Sequence, residues 1–179
     1  MKKPIILFDI DDTLFDTEAF RDSGLTTYQL YPDVLPALTK LSSFATLGIF
    51  SEAKYTFQDG KITRTEGILS PQAYEFQFNK LIKTHIAHFF SKEHLHIVGN
   101  KAASFPDVLS AYTSDHVYFV DDKLPFLQEA ATVLPSLNTI WLRRGRFAQT
   151  QMPIPGFTPG HRIDSLVEIE SIVRREIDR

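Results

Sequence analysis

Cysteine is absent from the 179 residues, so no disulfide can form, and a reducing compartment suits the chain without being demanded. Long apolar runs are missing too. The first one, Ile5-Ile6-Leu7-Phe8, is cut off by Asp9. It is too short for a secretory leader or a membrane span, so a soluble, cytoplasmic protein without a membrane partner is expected. No charge dominates: 19 Lys and Arg against 22 Asp and Glu leave a net charge of −3. That excludes a surface built for nucleic acid as a whole, though not a local basic patch. No repeat, low-complexity tract or linker interrupts the chain. Residues 1–179 therefore read as a single domain.

What is present is material for a core, with 43% hydrophobic residues and 15 Phe. Ile5 to Phe8 is a continuous apolar run after Pro4, the pattern of a strand buried on both faces. Similar runs occur at 45–50, 95–98, 117–120 and 138–142. Helical spacing of apolar residues appears between them. It covers Val34 to Leu41, Gln72 to Phe90 (through Phe78, Leu81, Ile82, His85, Ile86 and Phe89), Phe105 to Tyr112, Leu124 to Leu134, and Ser165 to Arg175. Strands alternating with helices predict an α/β, Rossmann-like domain: a mostly parallel sheet of about five to six strands sandwiched by helices. Two segments break the rhythm. Asp59-Gly60 between short β-prone runs predicts a hairpin within residues 55–70. Residues 145–161, with three Pro and three Gly, predict a loop.

The first apolar run leads into Asp9-Ile10-Asp11-Asp12-Thr13-Leu14. Residues two apart in extended backbone point the same way, so Asp9 and Asp11 converge where the strand ends. Ligands of open α/β sheets bind at that end. Crowded carboxylates repel unless a cation or shared proton offsets them, and a hard cation such as Mg²⁺ accepts such oxygens. Singly, each residue is an ordinary turn or capping residue, and Thr13 to Asp16 has capping-box character. The whole string directly after a buried strand is much harder to read that way.

This string resembles the Asp-x-Asp-x-Thr motif of the haloacid dehalogenase superfamily. Matches to the family's other motifs follow in order along nearly the whole chain. The resemblance implies that Asp9 is the nucleophile. It implies that Asp11 is general acid and then general base, its backbone carbonyl also facing Mg²⁺. Ser51, directly after the second strand, is similar to the family's Ser or Thr that binds a phosphoryl oxygen. Lys101 is similar to its charge-balancing lysine, with Lys54 and Lys123 as alternatives. Asp121-Asp122, at the end of the 117–120 run, resembles the acid pair that completes the metal site. Asp122 is expected at the metal, and Asp121 directly or through water.

The expectation is thus a Mg²⁺-dependent phosphatase working through an aspartyl-phosphate on Asp9. A phosphotransferase or nucleotidase on the same site, and a non-catalytic phospho-binding module, are the alternatives. Between Phe15 and Pro32 there is no room for a large helical cap. Whether the 55–70 segment covers the site, what the phosphorylated substrate is, and whether the chain forms homo-oligomers stay open. His85, His88, His94 and His96 read first as core or surface histidines rather than a second metal site. Arg143, Arg144 and Arg146 read first as a solvated loop, although they leave a second phosphate or a nucleic-acid backbone open. Arg174, Arg175 and Arg179 read as the basic end of the last helix.

Overall fold

In a computed structural model of the protein, residues 3–112, 116–148 and 150–177 are described. Met1, Lys2 and Arg179 lie outside them. Six parallel strands form one sheet: β1 (Ile5–Phe8), β2 (Thr46–Glu52), β5 (Phe90–Val98), β6 (Val117–Asp121), β7 (Asn138–Leu142) and β8 (His161–Ile163). Their order is β5-β2-β1-β6-β7-β8, so β1 lies inside the sheet, between β2 and β6. Alternation along the strands fills both faces. Ile6, Phe8, Tyr118, Val120 and Ile140 face a layer holding α2 (Val34–Ser42), α3 (Pro71–Lys83) and α6 (Ile169–Ile177). Leu7, Val117 and Phe119 face α4 (Lys101–Leu109) and α5 (Leu124–Val133). Burial on both faces is why these strands are apolar throughout. Among the described residues, no helix is long and apolar enough to cross a membrane.

The hairpin is present as β3 (Tyr55–Gln58) and β4 (Lys61–Arg64), with Gln58 opposite Lys61. Asp59 and Gly60 take φ of 50° and 72°, the left-handed pair that a type I′ turn requires. Between Phe15 and Pro32 the only helix is α1 (Thr17–Asp22), six residues long.

Four expectations change. The helix drawn from Gln72 to Phe90 stops at Lys83. His85 adopts φ of 61°, and the Ile86 N–H reaches back to the Leu81 carbonyl, a left-handed helix stop. Ile86 and Phe89, which looked like further helical turns, lead instead through a 3-10 turn into β5. That strand begins at Phe90, not Leu95, with an irregular register between Leu47 and Ile49. The helix drawn from Phe105 begins at Lys101, because the Asn100 side chain accepts the Ala103 N–H at 3.0 Å. The loop drawn to residue 161 ends in a sixth strand, too short for its pattern to show.

One clamp ties the far end of the chain to the acidic loop after β1. The Arg144 guanidinium donates to the Thr13 carbonyl at 3.2 Å and pairs with Asp33. The same Asp33 oxygen accepts from Ser165 Oγ at 2.7 Å and from the Leu166 N–H at 2.8 Å. Burial alone would raise the pKa of Asp33. The bonds from Arg144, Ser165 and Leu166 outweigh it and hold the carboxyl below its ordinary value. The stabilisation is therefore complete above the unfolded value of about 3.9 and is lost as pH falls through the lower folded value. Asp33→Asn should cost about 2 kcal/mol in urea unfolding at neutral pH. It should also make stability fall less steeply with acid below pH about 4 than in the parent.

Candidate active site

Asp9 follows β1 with its N–H bonded to the Val120 carbonyl of β6, so the sheet fixes its backbone. Its carboxylate is nearly closed to solvent and accepts twice at Oδ1: from Lys101 Nζ at 2.6 Å and from Ser51 Oγ at 2.9 Å. Lys101, at the first turn of α4, is 1% exposed and also donates to Asp121 Oδ2 at 2.8 Å. Its ammonium lies 4.9 to 5.9 Å from the ring centres of Phe50, Phe119 and Phe126. Burial disfavours the charged amine, but the Asp121 and Asp9 carboxylates outweigh that and raise its pKa. Of the three lysines considered, only Lys101 pairs with Asp9. Lys54 pairs with Glu52, and Lys123 pairs with Asp122.

Asp121 ends β6, and Asp122 follows it. Asp9, Asp121 and Asp122 each present a carboxylate oxygen within 4.8 Å of the others. Three carboxylates face two ammonium groups, Lys101 and Lys123, which leaves an excess of negative charge in a buried place. Asp122 Oδ1 takes Lys123 at 3.2 Å, while its Oδ2 is buried without a partner among the described residues. The backbone of Asp122 is fixed by donors from Trp141 Nε1 and Gln151 Nε2 to its carbonyl. Burial, and then the neighbouring acids, push the Asp122 pKa well above the ordinary carboxylate value. Asp9 is also raised, with burial again the largest cause. An all-oxygen set with an orphaned buried oxygen fits a hard divalent cation.

Asp11 sits apart from that trio. Its carboxylate accepts from Lys80 Nζ at 2.6 Å, Gln77 Nε2 at 3.0 Å and Thr17 Oγ1 at 3.2 Å. Burial would raise its pKa, but Lys80 and Gln77 lower it to about 2. Gln77 also donates to Ser51 Oγ at 2.9 Å, so one amide joins the Asp11 and Asp9 networks. Asp12 turns the chain away with φ of 58°, and Gly145 packs on it; a Cβ there would come within 2.8 Å of Asp12 Cβ.

Gln77 and Lys80 were missed by sequence reading. Both are at most 4% exposed, on the stripe Ala73, Phe76, Gln77, Lys80, Leu81 of α3. The stripe drawn through Phe78 and Ile82 was misplaced, since Ile82 is 45% exposed. Two polar residues at i and i+3 within the apolar stripe were the only available signal.

Asp9, Asp11, Lys80, Lys101 and Lys123 line a cavity of about 500 Å³. The hairpin is one of its walls, through Tyr55, Ile62 and Arg64. Of the arginines after β7, Arg146 lines the cavity, Arg143 pairs with Asp164 and Arg144 belongs to the Asp33 clamp. His94 and His96 meet at the Tyr112 hydroxyl, at 3.0 and 2.7 Å, while His85 and His88 are exposed.

No family model matches the chain, and no curated protein matches it. Solved structures do. A haloacid dehalogenase-like hydrolase, so assigned by name, from Burkholderia xenovorans superposes with a TM-score of 0.68 at 16% identity, covering 99% of this chain and 98% of that one. A D,D-heptose 1,7-bisphosphate phosphatase from B. bronchiseptica, complexed with magnesium and phosphate, gives 0.65 at 17% identity, covering 97% and 99%. A 2-haloacid dehalogenase from Pseudomonas syringae gives 0.61 at 15% identity, covering 98% and 100%. The chain has the haloacid dehalogenase-like fold.

The acid excess has a measurable consequence. An acid whose folded pKa is raised destabilises the fold above its unfolded value and not below it. In divalent-free buffer at pH 7.5, Asp122→Asn should raise the Tm. The gain should shrink to nothing as pH approaches about 4, where the unfolded carboxyl is itself protonated. A lower Tm at pH 7.5 would mean that the Lys123 pair outweighs the burial of charge.

Proposed function

We propose that this chain is a Mg²⁺-dependent phosphomonoester hydrolase with Asp9 as nucleophile. The observation that carries the reading is the joint placement of Asp9: buried, aimed by Ser51 and Lys101, and within reach of Asp121 and Asp122. Asp9, Asp122, Asp121 and the Asp11 carbonyl are the groups that would hold Mg²⁺. Bound there, the ion supplies neutralisation of the acids and of the phosphoryl oxygens. Phosphoryl transfer needs positioning and charge stabilisation above all, and Lys101 supplies a fixed cation for both.

In the first half-reaction an Asp9 oxygen forms a bond to phosphorus as the bond to the leaving oxygen breaks. Asp11 gives that oxygen a proton. In the second half Asp11 takes a proton from water as the water oxygen attacks phosphorus and releases Asp9. The ionised Asp11 of the resting site matches the second half. For the first half it must take up a proton, which the arriving negative charge of a phosphate ester favours. A carboxyl at this position suits an oxygen leaving group; a departing halide needs no proton. This favours phosphatase over dehalogenase chemistry for the same nucleophile.

Asp9→Asn should abolish Mg²⁺-dependent release of phosphate from 4-nitrophenyl phosphate, and wild-type rates in that variant would refute the mechanism. Asp11→Asn should behave differently, because nitrophenolate leaves without a proton. It should give a burst of about one nitrophenolate per chain, then turnover slowed about 10²–10⁴-fold, with phosphate retained on the protein. Mg²⁺ should raise the Tm of the parent chain in a concentration-dependent way and leave Asp122→Ala unmoved.

A further inference from the structure

The cavity above Asp9 is larger than the reaction needs. A phosphoryl group fills a small part of about 500 Å³, a volume in the range that holds an organic ligand of some size. The remainder must take the leaving group, so its walls describe that group.

Those walls have two characters. Phe126, Phe147, and Tyr55 and Ile62 of the hairpin contribute ring and aliphatic surface to the lining, with Lys54 and Lys101 near the Phe126 ring and Lys123 and Arg146 near the Phe147 ring. The charged groups sort by pairing. Lys101, Lys80, Lys123 and Lys54 are each paired with a carboxylate, on Asp9, Asp11, Asp122 and Glu52 respectively. Arg21, Arg64 and Arg146 also line the cavity, yet all three are exposed and none pairs with a carboxylate among the described residues. They come from three separate elements: the last turn of α1, strand β4 of the hairpin and the loop after β7. In a chain of net charge −3, three guanidinium groups on one cavity without a carboxylate partner among the described residues, Arg146 stacking on Phe147 at 4.7 Å, are not a surface average.

We propose, resting on the phosphatase reading, that the substrate is a small phosphomonoester whose leaving group carries an apolar body and a second anionic group. The phosphoryl group goes to Asp9. The apolar body lies against Phe126, Phe147 and the hairpin wall. The second anion, a carboxylate or another phosphate, is held at the mouth by Arg21, Arg64 and Arg146. Guanidinium groups bind either anion through paired N–H donors, so the shared chemistry is a planar or tetrahedral oxyanion.

Matched aryl phosphates test this. The phosphate esters of 3-(4-hydroxyphenyl)propionate and of its primary amide have nearly the same leaving phenol and differ by one charge; a third ester carries a phosphonate in place of the carboxylate. With the full chain and Mg²⁺, kcat/KM for the carboxylate or phosphonate ester should exceed that for the amide about tenfold or more. Whichever of the two charged esters is faster identifies the second anion. The triple variant Arg21→Gln, Arg64→Gln, Arg146→Gln should bring that ratio close to one, and so should raising the salt on the parent chain. Equal kcat/KM for acid and amide, or a ratio unmoved in the triple variant, overturns the proposal. Calorimetric binding of the non-hydrolysable phosphonate counterparts gives the same comparison without turnover. If no ester is hydrolysed but the acid counterpart still binds about tenfold tighter than the amide, the phosphatase reading fails and the anion site stands. If esters are hydrolysed without charge preference, the reverse holds.

Discussion

A buried ammonium between two carboxylates organises this molecule. Lys101 touches Asp9 and Asp121, which come from adjacent parallel strands, and its own helix starts immediately after β5. Taking such charges out of water is expensive, and one cation between two acids recovers the cost only with good geometry. The geometry comes from the sheet. β1 and β6 run in register, with Phe8 opposite Val120, so Asp9 and Asp121 emerge side by side. Substitution of Lys101 by a neutral residue would leave two buried acids facing each other. The site and the middle of the sheet therefore stand or fall together.

Around that pair the remaining parts have separate duties. Ser51, near the end of β2, donates to Asp9 and fixes the direction of its carboxylate. Asp122 adds an oxygen with no partner among the described residues, and its main chain is held by Trp141 and Gln151. Asp11 points to the other side, toward Lys80. Two carboxylates two residues apart thus live in opposite electrostatic settings. Asp9 is pushed toward protonation by burial, and Asp11 is kept ionised by an ammonium at 2.6 Å. Attack by Asp9 would need it ionised and proton donation by Asp11 would need it protonated, the reverse of this order. A divalent cation beside Asp9 and a phosphate beside Asp11 would each shift the balance the required way.

The acidic positions were legible in the sequence because a strand buried on both faces has no polar residues until it ends. The first Asp after such a run marks the sheet edge where ligands bind, and this holds at both Asp9 and Asp121. Ser51 and Lys101 were legible only by their place after the second and third apolar runs. Gln77 and Lys80 were hidden for the opposite reason. On an amphipathic helix, Gln and Lys are what a solvent-facing stripe would contain, and the competing pattern of Phe78 and Ile82 pointed to the wrong face. The end of α3 was hidden as well, because nothing in Thr84-His85 announces a left-handed residue. Short β8 had too few residues to show any period.

The hairpin rests on α3 through Phe57 against Phe76, ring centres 5.5 Å apart, and the next residue along that helix is Gln77. The residue against which the hairpin wall packs and the amide that joins Ser51 to Asp11 are thus neighbours on one helix. Remodelling the hairpin would therefore press on the hydrogen bonds of Asp11 as well. With the hairpin as substrate wall and Asp11 as proton carrier, as proposed, recognition and reactivity would share one lever, and a lineage exploring new substrates could not change the first while holding the second fixed.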